Sequence, residues 1–122
     1  MSIESYQDLI VWQKSMDLAE QCYLLTKAFP REELFGMTSQ IRRAATSIPA
    51  NIAEGWGRGT TGEYIQFLRI AQGSTKELET HLLLCRRVGL LKPDQGSQAL
   101  SLVAEISRMT ISLIGSLQRK RK

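Results

Sequence analysis

The 122-residue sequence predicts an all-α protein that folds as an antiparallel up-down four-helix bundle. In four separate segments, apolar residues recur every three or four positions, which is the spacing of one buried helix face. The links between these segments are short and rich in glycine or proline, as is typical of turns between neighbouring antiparallel helices. No segment shows the alternation of apolar and polar residues that a half-buried strand requires.

The first helix is predicted over residues 8–28 and carries two adjacent apolar stripes. One stripe consists of Trp12, Met16, Ala19 and Tyr23, and the other of Val11, Leu18, Cys22, Leu25 and Phe29. A surface helix usually buries a single apolar arc, so we interpret Trp12 and Tyr23 as candidate contacts with a neighbouring subunit. The alternative is that they are single exposed aromatic side chains, which are common on monomeric proteins.

The second helix has an apolar stripe over residues 34–52, contains a proline, and is predicted to end after Glu54. Pro49 removes a hydrogen bond to the carbonyl group four residues earlier and presses against it, so a kink is expected. Ser47 and Asn51 flank this point and carry side chains that can bond the freed backbone groups. We interpret Asn51 and Glu54 first as polar residues that hold the kinked helix in place.

Four glycines in eight residues then turn the chain: Gly55, Gly57, Gly59 and Gly62. The last three match the dinucleotide-binding pattern G-x-G-x-x-G letter for letter. That pattern binds a pyrophosphate only after a buried strand, and here a helix precedes it. No Lys-Ser or Lys-Thr pair follows that would make a P-loop. We interpret the segment as an interhelical turn and expect no cofactor.

The third helix, predicted over residues 61–88, is the longest and would measure about 42 Å. Thr60 and Glu63 have the spacing of a capping box, which places its start. Its seam alternates spacings of four and three and consists of Tyr64, Leu68, Ala71, Thr75, Leu78, Leu82 and Cys85. The fourth helix is predicted over residues 95–117, and its apolar stripe consists of Leu102, Ile106, Met109, Leu113 and Leu117.

Four segments of the chain resemble those of a known family. They read Leu9-Ile-Val-Trp-Gln13, Ser39-Gln-Ile-Arg-Arg-Ala44, Ser47-Ile-Pro-Ala-Asn-Ile-Ala-Glu-Gly55 and Glu63-Tyr-Ile-Gln-Phe-Leu-Arg-Ile-Ala71. The chain is similar over nearly its whole length to the bacterial four-helix-bundle family of 23S rRNA intervening-sequence proteins, also called S23 proteins. The specific part is the third segment, with the motif residues Ser47, Pro49, Asn51, Glu54 and Gly55.

The resemblance implies an antiparallel four-helix bundle that assembles into a homo-oligomeric ring, usually a pentamer. A distant relative of the family, the accessory protein of diversity-generating retroelements, has the same fold and binds a reverse transcriptase and nucleic acid. By this distant analogy, a reverse transcriptase is a candidate protein partner. The family name records where some of the genes lie and implies no measured activity.

Charge is concentrated at the end of the chain. There are 16 Lys and Arg against 12 Asp and Glu, and the last four residues, Arg119, Lys120, Arg121 and Lys122, are all basic. We therefore divide the chain into a bundle over residues 1–118 and a basic tail over residues 119–122. Such a tail raises non-specific affinity for nucleic acid. The alternative is a frayed terminus that only improves solubility.

A second set of candidate contacts with nucleic acid or a partner consists of arginines on the bundle itself: Arg42, Arg43, Arg58 and Arg69. A ring would repeat each of them around its axis and make a dense basic patch. The alternative, which we favour, is that they form ion pairs between helices or subunits. Glu54 and Arg58, four residues apart, are suited to such a pair. Trp56 is the one candidate for stacking on single-stranded bases.

Nothing in the sequence indicates an enzyme or a metal site. The single histidine, His81, lies four residues after Glu77, and no second such pair completes a bundle metal site. Cys22 and Cys85 lie among apolar neighbours and are interpreted as small core residues. The first residues lack a signal-peptide pattern, and no apolar run approaches the length of a membrane span. We expect a cytoplasmic protein without membrane contact.

Two functional hypotheses follow from different classes of protein. The first is a non-enzymatic assembly or adaptor protein, a homo-oligomeric helical ring that presents a surface to a protein partner. The second is an RNA- or DNA-binding module that uses the basic tail and the ring-repeated arginines. The two hypotheses are compatible.

Overall fold

The computed structural model describes residues 2–121, which form four α-helices and two short 3₁₀ helices. Helix α1 spans Ile10–Lys27, α2 spans Met37–Gly57, α3 spans Thr61–Arg87 and α4 spans Ser97–Arg121. The 3₁₀ helices precede α1, over Tyr6–Asp8, and link α1 to α2, over Arg31–Glu33. No strand occurs among the described residues. The predicted all-α class with four helices is confirmed.

Each helix packs against two others, so that in cross-section the four helices occupy the corners of a square. Helices α2 and α3 share the most extensive contact, and α1 and α4 the least extensive. Two contacts show that α2 and α3 are antiparallel. Ser47 bonds Ser74 at 2.8 Å, and Gly55, further along α2, lies against Phe67, which is earlier in α3. The loose pairing of α1 with α4 leaves a long open seam on that side of the bundle.

The core is built from one apolar stripe of each helix. Its largest fully buried apolar side chains are Leu18, Ile41, Ile48, Ile52, Leu68, Leu78, Leu82, Val103 and Ile106. Three buried threonines donate their hydroxyl groups to carbonyl oxygens one turn earlier in the same helix, and these are Thr26, Thr75 and Thr110. These hydroxyl groups therefore add no unpaired donor to the core.

Helix α2 continues through Pro49 without interruption. Beside the proline, Asn51 Nδ2 donates to the carbonyl oxygen of Ser47 at 2.7 Å and to its hydroxyl at 2.9 Å. Asn51 thus bonds the Ser47 carbonyl group, whereas the carbonyl group that Pro49 frees is that of Ala45, four residues before the proline. The kink itself remains a prediction. The helix ends at Gly57, slightly later than predicted.

Helix α3 begins at Thr61, as predicted, with Thr60 as its N-cap. The Oγ1 atom of Thr60 accepts a hydrogen bond from the backbone N–H of Glu63 at 3.2 Å. The reciprocal half of the capping box does not form, because the Glu63 carboxylate accepts from the Thr60 hydroxyl at 3.0 Å instead. The same carboxylate also faces Arg58, at 3.8 Å. The N-cap prediction is correct, and its second bond is replaced by side-chain contacts.

Helix α4 is longer than predicted. It continues past Leu117 to Arg121, so Arg119, Lys120 and Arg121 form its last turn where we expected a tail. Arginine and lysine are favourable helix residues, and cations near a helix C-terminus are stabilised by the helix dipole. Lys122, the fourth residue of the predicted tail, lies outside the described residues.

Helix α4 also contains the most apolar long segment among residues 2–121. An 18-residue window of it has a mean hydropathy of 1.4, so by length and composition alone it is able to cross a membrane. This corrects the expectation that no apolar run approaches that length. The helix nevertheless contributes Val103 and Ile106 to the bundle core, and its Glu105 pairs with Lys14 of α1 at 2.8 Å. Only 28% of the window is buried, but Ile111 is the one large apolar side chain of α4 that is exposed; the other exposed positions of this helix are small or polar.

Candidate subunit and nucleic-acid interfaces

The predicted motif residues Ser47 and Asn51 join α2 to α3 near the middle of the bundle. Ser47 Oγ receives the Asn51 amide at 2.9 Å and lies 2.8 Å from the hydroxyl of Ser74. All three side chains are partly buried, where an unpaired polar group is costly. The chain of bonds explains these polar residues as structural links between two helices.

Gly55 marks a close approach of α2 to α3. A Cβ atom at this position would lie 2.7 Å from the Cβ of Phe67 and 3.2 Å from the Cδ1 of Tyr64. Real Cβ atoms do not come so close, and a Cβ neighbour cannot swing away as the tip of a long side chain can. Glycine is therefore required here for helix packing.

Arg58 is held by its neighbours. Its guanidinium bonds the Glu54 carboxylate at 3.1 Å, faces Glu63 at 3.8 Å, and lies 4.9 Å from the centre of the Phe67 ring. The predicted Glu54–Arg58 pair is thus present. Two carboxylates beside one guanidinium leave no net positive charge for a phosphate, so this residue fits a structural role better than a nucleic-acid contact.

Arg42 is likewise engaged within the subunit. Its Nε donates to the Thr26 hydroxyl of α1 at 2.9 Å, and its guanidinium lies over the Tyr23 ring, 4.5 Å from the centroid. Arg43, the next residue, is exposed and forms no ion pair with residues 2–121. Arg42 lies 16 residues before Arg58, which corresponds to about 24 Å along the helix, so the body arginines do not form one patch.

Three of the remaining basic candidates lie in the last turn of α4, beside the start of α3, and the fourth, Arg69, lies two turns into α3. The guanidinium of Arg121 lies 3.1–3.5 Å from the position of a Cβ on Gly62. Arg69 lines a groove of about 480 Å³ between α3 and α4, together with Gln118. None of the four cations forms an ion pair within the described part of the chain. We call this set the basic end: Arg69, Arg119, Lys120 and Arg121.

Trp56, the stacking candidate, is partly buried in the last turn of α2. The aromatic ring beside Arg58 is that of Phe67. A stacking role for Trp56 therefore has no support from a neighbouring cation.

Trp12 and Tyr23 line one groove between α1 and α2. Trp12 packs edge-on against Tyr6, with 5.2 Å between ring centroids, and Tyr23 is 42% exposed. The groove measures about 500 Å³. We call it the aromatic groove, and its apolar lining consists of Tyr6, Trp12, Met16, Ala19, Tyr23, Pro49, Ala50 and Ala53. Asp17 and Glu20 also line it, so its rim is acidic.

The sequence reasoning missed a second apolar concavity, where the open seam between α1 and α4 widens beside the N-terminal segment. It measures about 880 Å³, and Arg108 is its one cationic lining residue. Its apolar lining consists of Ile3, Leu9, Ile10, Val11, Met109 and Leu113. The apolar residues Ile3 and Leu9, which precede α1, could have indicated this concavity, but no local sequence pattern shows that they lie beside α4.

The thiols and the histidine lack the surroundings of catalytic groups. Burial raises the pKa of Cys22 to about 12, and burial together with the nearby Glu33 raises that of Cys85 to about 11. Both thiols therefore stay protonated and unreactive near neutral pH. His81 Nε2 is buried, 3.7 Å from the Glu77 carboxylate. Residues 2–121 contain no group of three or more His, Cys, Asp or Glu residues that can hold a metal ion.

Comparison with known proteins gives one consistent result. Residues 7–112 match the model of a family described as 23S rRNA-intervening sequence protein. The fold is similar to a crystal structure from Bacteroides thetaiotaomicron VPI-5482, of a protein with unknown function from the S23 ribosomal protein family. The two share 30% sequence identity with a TM-score of 0.77, over 86% of this chain and 98% of that one. No curated protein matches the chain.

Proposed function

The chain belongs to the family of 23S rRNA-intervening sequence proteins, and we propose that it is a non-enzymatic, cytoplasmic scaffold that assembles into a homo-oligomeric ring. As an adaptor, the ring presents its surface to a protein or nucleic-acid partner without membrane contact. The observation that carries the proposal is the aromatic groove, an apolar surface that the subunit leaves uncovered.

The composition of the aromatic groove favours a protein contact. Met16 is 45% exposed and Tyr23 is 42% exposed, and aromatic side chains and methionine are the residue types enriched at interfaces. On the α2 side the lining residues Pro49, Ala50 and Ala53 are small, so a helix of another subunit can come close. These features distinguish the groove from a single exposed aromatic residue.

A closed ring requires two different surfaces on each subunit, because each contact joins one side of a copy to another side of the next. The seam between α1 and α4 supplies the second apolar surface. Charge does not select this pairing: Asp17 and Glu20 border the aromatic groove and also part of the seam, and the wider part of the seam is bordered by both Asp8 and Arg108. The pairing therefore rests on the two apolar surfaces. Five subunits are the number that the family resemblance implies.

The test of the scaffold is the mass of the protein in solution, by size-exclusion chromatography with light scattering. We expect a multiple of the subunit mass of 13.7 kDa. The M16E variant places a third carboxylate beside Asp17 and Glu20 in an apolar groove, and we expect it to dissociate. The control is Q66E, which adds the same charge at an exposed position of α3 outside both surfaces. A wild-type protein of 13.7 kDa at high concentration would overturn the proposal.

The basic end supports nucleic-acid binding as a second candidate function. Its four cations form no ion pairs within residues 2–121, whereas Arg42 and Arg58 are engaged. Assembly would bring several copies of the basic end together, and each phosphate contact would add affinity at low salt. A reverse transcriptase as a protein partner, suggested by the retroelement analogy, remains a prediction.

A further inference from the structure

Phe35 is the most exposed large apolar side chain among residues 2–121, with 94% of its surface accessible. It follows the 3₁₀ helix that links α1 to α2, and the preceding Leu34 is 46% exposed. Single exposed apolar residues need no explanation. A phenylalanine that buries almost none of its ring is unusual, because the side chain can remove on the order of 150–250 Å² from water.

The turn that carries Phe35 is firmly hydrogen-bonded. The N–H of Leu34 donates to the Arg31 carbonyl at 3.1 Å, and the N–H of Gly36 donates to the Glu33 carbonyl at 3.0 Å. The Glu33 carboxylate accepts from the first N–H of α2, at 3.2 Å. The backbone is thus fixed on both sides of Phe35. An aromatic side chain on an ordered turn is suited to anchor an interface, because binding does not have to order the backbone that carries it.

A groove of suitable size lies at the same end of the bundle, on another side. It lies between the C-terminal half of α1 and the start of α4 and measures about 410 Å³. We call it the end groove, and it is lined by Gln21, Leu24, Leu25, Asp94, Gly96, Ser97, Gln98 and Ala99. Leu24 is 58% exposed. The groove is not filled by Phe35 of the same chain, since that ring is almost wholly accessible.

One pair of opposite charges is available beside the two elements. Arg31 lies four residues before Phe35, and Asp94 lines the end groove. Of the two carboxylates that follow Arg31, Glu33 is bonded to α2 and Glu32 is exposed. The side chains of Arg31 and Asp94 are exposed, and neither forms an ion pair within the described chain. Seating Phe35 in an end groove therefore brings a free cation towards a free anion.

We propose that Phe35 of one copy inserts into the end groove of the next copy, with Arg31 beside Asp94. This rests on the proposed ring and assigns it a specific anchor and socket. Phe35 lies where α1 passes into α2, and the end groove lies between α1 and α4. The contact is therefore head-to-tail, and it repeats from copy to copy until the ring closes. The aromatic groove and the open seam occupy the same two sides, so the new contact extends that interface.

The first test is F35A, measured by sedimentation over a dilution series of the full-length protein. Truncating a central aromatic anchor weakens association by roughly 30-fold, so we expect dissociation at correspondingly higher concentration. The melting temperature of the dissociated subunit should not change, since the ring is exposed. The control is I111A, which truncates an apolar side chain that is 59% exposed on α4 and lies outside both elements.

The second test asks whether the contact joins different surfaces. F35A has an intact end groove, and L24E has an intact Phe35 and a charged groove. Neither variant alone can form the contact, but a mixture of the two restores one contact per pair, and we expect heterodimers in the mixture. For the charges, R31E and D94K should each weaken assembly, and the double variant should recover at least part of the affinity.

The outcomes separate this inference from the scaffold proposal. If F35A and L24E assemble like the wild type while M16E dissociates, the proposed contact between Phe35 and the end groove is wrong, but the proposed ring is supported. If the wild type is a monomer at all concentrations, both proposals fail. A change in subunit melting without any change in association would also overturn the anchor.

Discussion

A Cβ atom on Gly55 would lie 2.7 Å from the Cβ of Phe67, so α2 and α3 touch through the backbone at this point. Gly55 directly follows Glu54, the ion-pair partner of Arg58, and Phe67 carries the ring on which Arg58 rests. Helix packing, the turn and the ion pair are thus fixed together in the segment where the family resemblance is most specific.

Replacing Gly55 with alanine should destabilise the bundle. Overpacking in a tight contact costs about 1–3 kcal/mol, which exceeds the gain of up to about 1 kcal/mol from the better helix propensity of alanine. The control is G73A, because a Cβ on Gly73, in the middle of α3, has no neighbour within 4 Å. We expect G73A to stabilise the protein by about 0.5–1 kcal/mol. Urea denaturation measures both, and equal effects of the same sign would contradict the packing argument.

Replacing Asn51 with alanine should also weaken the fold. The change removes two hydrogen bonds to Ser47 and leaves the Ser47–Ser74 pair without its third member. A partly buried network of this kind is expected to contribute about 1–2 kcal/mol. T46A on the same helix is the comparison, since Thr46 is exposed and bonds only its own helix backbone. A thermal midpoint for N51A that equals that of T46A would show that the network does not hold α2.

Stability should fall at alkaline pH because of the thiols. Burial raises the pKa of Cys22 from 9.0 to about 12, and that of Cys85 from 9.0 to about 11. Above pH 9 the thiols of the unfolded chain lose protons, whereas the buried thiols of the folded chain keep theirs until the pH reaches their raised pKa. The free energy of unfolding therefore decreases as the pH rises through this range. Below pH 9 the contribution is fully present.

The expected slope is up to about 1.4 kcal/mol per pH unit for each thiol. Denaturant unfolding at several pH values from 8 to 11 measures it. The C22A/C85A variant should show a flatter dependence, with a remainder from Tyr64, whose pKa burial also raises. If the variant and the wild type decline in parallel, the thiols are not the source.

Nucleic-acid binding should depend on the basic end and not on the engaged arginines. We expect the R119A/K120A/R121A variant to bind labelled RNA and DNA more weakly than the wild type. The slope of log affinity against log salt should fall by about 0.7 for each single-strand phosphate that the variant no longer neutralises. R42A and R58A serve as matched controls that should leave the slope unchanged. Equal slopes for all variants would show that the basic end does not contact nucleic acid. If the wild type binds neither RNA nor DNA, the proposed nucleic-acid function is wrong.

Most of the helical framework could be predicted from local patterns. The start of α3 follows from Thr60, whose side chain caps the helix whatever surrounds it. The Glu54–Arg58 pair follows from a spacing of four. The end of α4 did not follow, because the expected boundary rested on the last apolar residue, whereas the exposed Arg119 and Lys120 extend the helix.

The interfaces depend on contacts that sequence spacing does not encode. Leu34 fits the apolar stripe of the second helix, yet it lies in the link before α2 because the hydrogen bonds of Glu33 fix a turn there. The exposure of Phe35 follows from that turn. Similarly, the Arg42 guanidinium rests on Tyr23 of another helix, and only the packed bundle brings these two residues together.

The continuity of α4 to Arg121 determines the directions in which its terminal cations point. Successive residues of an α-helix are rotated by about 100°, so Arg119, Lys120 and Arg121 radiate around the helix axis. If RNA or DNA binds at this end, a nucleic-acid strand along one flank of the bundle would meet one or two of these charges, whereas one that crosses over the tip would meet all three. The helix axis would then set the orientation of the bound nucleic acid, a constraint that a flexible tether would not impose.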